Sequence, residues 1–165
     1  LASDDRQISP TRFHNSVHNV SAGYWGIATG SMAPCQVVSA FDASFGAGLL
    51  DALAQVMCDG RSVLLIAYDS EYPEPLHSQR DTPDCGGVAL LLDPQRSANS
   101  LASIQVAPSA EMADILTNAG LEALRQKIPA MRALPLLRQL ANDQSGAVCL
   151  EYLSSMQLKV EIQMC

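Results

Sequence analysis

Residues 34–60, PCQVVSAFDASFGAGLLDALAQVMCDG, decide the fold. The short apolar run Gln36 to Ala40 reads as a buried strand. Phe41-Asp42 makes a turn, Ala43 to Cys58 reads as a helix, and Asp59-Gly60 ends it. A strand feeding directly into a helix N-terminus is a place where α/β enzymes set a nucleophile, because the free N–H groups and the helix dipole stabilise an anion there. Here that place holds Asp42, neither a thiol nor a hydroxyl. The pattern is that of an enzyme-like architecture whose reactive residue is missing. In the helix, Phe45, Leu49, Leu53 and Val56 or Met57 follow the 3.6-residue period, with Asp51, Gln55 and Asp59 elsewhere on its surface. Gly46, Ala47 and Gly48 crowd its first turns at a cost of about 1 kcal/mol for each glycine, which implies the close approach of another backbone.

Outward from this unit, Ser9-Pro10-Thr11 reads as a helix start, with Ser9 as cap and Phe13 and Val17 as a small apolar stripe. Ala22 to Ala28 continues as a second short helix, punctuated by Gly30 and Pro34. On the C-terminal side, Ser62–Tyr68 and Val88–Leu92 read as strands buried on both faces. Between them lies a long Pro-rich loop, 69–87. Ala102–Ala107 reads as a strand and Ser109 caps a helix over Glu111–Lys127. Pro129 breaks that helix, Pro135 opens another to about Ala141, and Gly146–Leu150 and Leu158–Ile162 are strands. The sum is a single α/β domain over 1–165, a mixed sheet flanked by helices.

Composition narrows the function. Nearly half of the 165 residues are apolar, 16% are charged, and the net charge is −7. That balance excludes nucleic acid and an anionic membrane surface as partners, since both need Lys and Arg. The apolar runs are far shorter than the ~20 residues that span a bilayer. Leu1–Arg6 lacks the apolar stretch of a leader, which points to the cytoplasm. Leu1 stands where Met would, so a preceding segment is expected to be missing. Cys35, Cys58, Cys85, Cys149 and Cys165 are odd in number with no C-x-x-C, and read as reduced, structural thiols.

The candidate chemical residues weigh as follows. Asp42 is among the best N-cap residues, and capping is preferred over catalysis for it. His14 and His18 have the i,i+4 spacing of a zinc helix, but Asn15 replaces the general base and the only other histidine is His77, so no metal and no cofactor is expected. Cys58 lies near a helix C-terminus, where the dipole disfavours a thiolate, and is expected in the core. Cys35 has no candidate base nearby. G-x-S-x-G, P-loop and G-x-G-x-x-G motifs are absent.

The segment SPTRFHNSVHNVSAGYWGIATG (9–30), followed by Ala-Pro, a strand, Asp-Ala-Ser, a helix and a Gly before the next strand, resembles the N-terminal half of β-ketoacyl synthases, the thiolase-fold condensing enzymes of fatty acid and polyketide synthesis. Ser9, Pro10, Phe13, Ser16, Asn19, Ala22, Gly23, Ile27, Pro34 and Gly60 match that family's pattern. The likeness covers residues 9–92 and fades afterwards. It implies one half of a thiolase-like fold, truncated at its N-terminus. The family's nucleophilic Cys falls on Asp42, or within one residue on Phe41 or Ala43, and none is a thiol. The family's catalytic histidines belong to a half that this chain lacks.

The chain is more similar still to short ketosynthase-like proteins of aryl-polyene clusters, of chain-length-factor type. That resemblance implies a non-catalytic subunit, pairing with an active ketosynthase or with itself and working with an acyl carrier protein. It assigns Gln36, Val38, Ala40, Ser44, Phe45, Gly46 and Gly48 to the acyl channel or the subunit interface, with Gln36–Ala40 pairing across a two-fold axis. Two other readings stay open. One is a stand-alone acyltransferase or hydrolase using Asp42, Cys35 or Cys58; the other is a non-enzymatic dimeric scaffold with no apolar tunnel near Phe41 and Phe45.

Overall fold

The structure, a computed structural model, describes residues 9–165. The reading of Leu1–Arg6 therefore lies outside the described residues. The chain divides into two units, Leu1–Val38 and Ser39–Cys165.

In the first unit Pro10 opens a one-turn helix, α1 (Pro10–His14), and a longer helix, α2, spans Val20–Thr29. Neither buries a residue. Phe13 and Val17 are exposed, so the expected stripe is not a core contact. Tyr24 reaches back to α1: its hydroxyl donates to Asn15 Oδ1 at 3.0 Å and its ring meets His14 edge-on. Gly30 ends α2 with φ +65°, a left-handed conformation that glycine adopts without steric cost. Residues 36–40 form no strand. The run has the apolar pattern of one but belongs to neither sheet, and Gln36 and Val38 are exposed.

The second unit holds the core. A 3-10 turn, Phe41–Ala43, leads into α3 (Ser44–Asp59). Two antiparallel strands follow, β1 (Val63–Asp69) and β2 (Gly86–Leu92), paired from Val63↔Leu92 to Asp69↔Gly86. Then come β3 (Ala102–Ser109), α4 (Ala119–Lys127), a 3-10 segment Pro129–Ala133, α5 (Leu134–Ala141), β4 (Gly146–Leu153) and β5 (Met156–Met164). The last three strands make a second antiparallel sheet in the order β3-β5-β4, with Val106 and Val148 both opposite Val160. The α/β reading holds, with the strands divided between two sheets.

Phe45, Leu49, Leu136, Val148, Leu150, Leu158, Val160 and Ile162 form the buried cluster. The stripe of α3 is Phe45, Leu49, Ala52 and Val56, spaced 4, 3 and 4 apart, while Met57 and Cys58 point to solvent. Gly46 and Gly48 do mark a close approach, though of side chains rather than a backbone. A Cβ on Gly46 would sit 2.9 Å from the Tyr152 ring and 3.1 Å from Leu158, and one on Gly48 3.2 Å from Leu65.

Three expectations change. β1 and β2 alternate rather than being buried on both faces: Leu65 and Leu90 turn to the core, Leu64, Ile66, Tyr68 and Leu91 to solvent. Antiparallel pairs can leave one face open in this way. The helix expected from Glu111 starts only at Ala119. Asn118, not Ser109, caps it, accepting from Leu121 N at 3.1 Å. The preceding stretch runs as an irregular arm beside β4, where Asp114 N donates to Cys149 O and Asp114 Oδ2 accepts from Cys149 N, each at 2.8 Å. Its Met112 and Ile115 are exposed, so their helical spacing was not a core signal. Among the described residues no helix is long and apolar enough to cross a membrane.

Candidate functional site

The turn into α3 is strained. Phe41 has φ +57°, the left-handed region that bulky side chains rarely occupy. Ser44 holds the turn shut: its hydroxyl donates to Phe41 O at 2.6 Å and accepts from Ala40 N at 3.0 Å, while Ala43 N reaches Ala40 O at 3.0 Å. The Phe41 ring is 72% exposed, and Ala43 is buried in the core.

Asp42 does not cap α3. The cap position is Ala43, with no side-chain bond to the helix amides. The Asp42 carboxylate pairs instead with Arg80, whose guanidinium also lies 4.1 Å over the Phe41 ring. Arg132 Nη2 stands 3.9 Å from the same carboxylate.

From Asp42 a chain of charges runs inward. Arg132 pairs with Glu151, Glu151 with Arg125 at 2.9 Å, and Arg125 with Glu122 at 2.6 Å. Arg125 and Arg132 are buried, and burial of a guanidinium requires such partners. Glu122 also accepts from Leu116 N at 2.9 Å. The Arg125 hydrogen bond, with that backbone donor, holds its carboxyl down at about 2. Arg125 is raised in turn, first by its bond to Glu122 and against desolvation. Asp69, at the end of β1, accepts from Ala130 N at 2.7 Å. Burial raises its carboxyl, and the Ala130 bond and Arg80 oppose that rise. Arg132 Nε and Thr82 Oγ1 are buried with no hydrogen-bond partner among the described residues.

This geometry places the candidate residues in three groups. Phe41 and Asp42 stand together at the head of α3, with Ser44 as the clasp and Ala43 beneath. Phe45, Gly46 and Gly48 are buried and their space is taken by this chain's own Tyr152, Leu158 and Leu65. Gln36 and Val38 are exposed and Ala40 is half-buried. The arginines and glutamates of the charge chain escaped the sequence reading. Arg80 lies 38 residues from Asp42, and only the Glu122–Arg125 i,i+3 spacing gave a signal.

Chemically, the head of α3 carries no thiol. Cys58 lies at the other end of the helix, about 20 Å away at 1.5 Å per residue. Cys149 is buried, and burial pushes its thiol up, against thiolate formation. Among the described residues no group of His, Cys, Asp and Glu could hold a metal.

The family model of the β-ketoacyl synthase N-terminal domain matches residues 2–152. Neither the curated proteins nor the solved structures gave a match.

Proposed function

Because the chain belongs to the β-ketoacyl synthase N-terminal domain family, we propose that it is a non-catalytic, chain-length-factor-type subunit of an acyl-condensing system. The observation that carries this reading is the head of α3. A left-handed residue directly before a helix is the geometry in which strained elbows present a nucleophile. Here the strained residue is Phe41, while Asp42 is paired with Arg80 and Ala43 is buried, which supports reading Phe41 as the residue at the nucleophile's position.

Decarboxylative condensation needs a thiolate to carry the acyl chain. A phenyl ring cannot form that bond, but it can line or close the space an acyl chain enters. The subunit pairs with an active ketosynthase, or with a second copy of itself, receives no acyl group, and sets chain length in aryl-polyene or related polyketide synthesis with an acyl carrier protein in the cytoplasm. The exposed Gln36 and Val38 and the open apolar face of β1 and β2 offer surfaces for such pairing.

The test is co-expression with a ketosynthase from the same cluster. The expected outcome is co-purification, condensation only with both proteins, and longer products with Phe41→Ala than with wild type. Full activity and unchanged product length from the ketosynthase alone overturn the proposal. Stable acylation of this chain by a carrier-protein thioester, read by intact mass, would instead support a stand-alone acyltransferase using Asp42, Cys35 or Cys58.

A further inference from the structure

The connection between β1 and β2 is 16 residues long, from Ser70 to Cys85, although the strands are antiparallel neighbours. Two to five residues suffice for such a hairpin, and connections beyond about 12–15 residues are uncommon unless they have work of their own. Most of this one is exposed, including Tyr72 at its start and Leu76 at its middle. It is held by three consecutive residues. Arg80 is clasped between the Asp42 carboxylate and the Phe41 ring. Asp81 pairs with Lys127 of α4 at 2.9 Å, between exposed side chains. Thr82 is buried. Just before them the chain forms a local turn in which Leu76 N and His77 N donate to Pro73 O, and Gln79 N and Arg80 N donate to Leu76 O.

We propose that residues 70–85 form a strap latched onto the head of α3 by Arg80, and that breaking the Arg80–Asp42 pair releases it. The latch is ionic and partly exposed, with side chains 24% and 39% accessible, so salt weakens it. Beyond residues 80–82 no apolar anchor holds the strap down, since Tyr72 and Leu76 face solvent. Release leaves the Asp42 carboxylate with Arg132 alone, 3.9 Å away, and uncovers the face of the Phe41 ring that Arg80 covers. The Asp81–Lys127 pair and buried Thr82 keep the C-terminal end of the strap in place, so the Arg80 latch governs the part that lies against the α3 head. The device stands on this chain's own contacts and needs no partner protein.

Hydrogen exchange tests it, with the amides of Leu76, His77, Gln79 and Arg80 as reporters and those of α3 and β5 as internal reference. At low salt the strap amides of the wild type are protected, and 1 M NaCl raises their exchange several-fold while the reference stays fixed. Arg80→Gln raises strap exchange about tenfold at low salt and shrinks the salt response to the part left by the exposed Asp81–Lys127 pair, since both the Arg80 ion pair and the ring stacking are lost. Arg80→Lys keeps the charge, loses the planar stacking, and falls between. Unchanged strap exchange in Arg80→Gln, or a salt response as large as that of the wild type, overturns the proposal. If α3 also loses protection in Arg80→Gln, Asp42→Asn breaks the pair from the other side. It must then give the same local rise, and the absence of that rise is equally decisive.

Discussion

At the scale of the residue, Phe41 is where sequence and structure part. The position was legible: a turn at 41–42 feeding a helix, with no thiol in it. Which residue bears the strain was not, because nothing in the letters FDAS says that Phe rather than Asp takes the left-handed conformation. Asp42 had the chemistry of a cap, but an arginine 38 residues away claimed the carboxylate. The strain has a measurable consequence. A β-branched side chain tolerates φ +57° least and glycine best, so Phe41→Val should lower stability by about 1–2 kcal/mol more than Phe41→Gly, read from urea midpoints. Contact size alone would order them the other way. Exposure predicts a second contrast: a thiol from Phe41→Cys alkylates with iodoacetamide at least about tenfold faster than one from Ala43→Cys, whose position is buried.

At the scale of the element, α3 was legible because its apolar stripe and its small residues belong to one local pattern. Phe45, Leu49 and Val56 went to the core as their spacing required. The glycines have separable roles. Gly46→Ala should cost about 1–3 kcal/mol in spite of the better helix propensity of alanine, since the new Cβ would meet the Tyr152 ring 2.9 Å away. Gly48→Ala meets only the end of Leu65 and should stay within about 1 kcal/mol of wild type. Urea unfolding of the two variants distinguishes packing from propensity. The start of α4 was misread because Ser109 and Asn118 are both good caps and the apolar residues between them fit a helical period. What decided was the pairing of Asp114 with the Cys149 backbone, a contact across 35 residues. Asn118→Ala should therefore cost about 1 kcal/mol and Ser109→Ala less, by thermal or urea unfolding. The segment 36–40 shows the same limit from the other side: an apolar pattern becomes a strand only where a neighbour supplies the ladder.

At the scale of the molecule, the chain of charges from Asp42 to Glu122 ties the α3 head to β4 and α4, and it makes stability depend on pH. Glu122 is held at about 2, below its ordinary 4.5, so its contribution is present above pH 4.5 and is lost as the pH falls toward 2. Asp69 has the opposite sign. Its carboxyl is raised, so the folded state favours its protonated form, and its contribution is present below 3.8 and lost as the pH rises through the raised value. The two oppose one another only above pH 3.8; below it Glu122 acts alone, so stability falls as the pH drops from 3.8 toward 2. The urea midpoint of the wild type should fall across this window. Glu122→Gln should start lower at pH 6 and lose roughly half of the fall, because the group whose protonation drives it is gone. Asp69→Asn should steepen the fall above pH 3.8, since it removes a carboxyl whose protonation works the other way. Parallel curves for wild type and Glu122→Gln would show that the acid sensitivity belongs to other carboxylates, and that the inner end of the charge chain does not hold the α3 head in place.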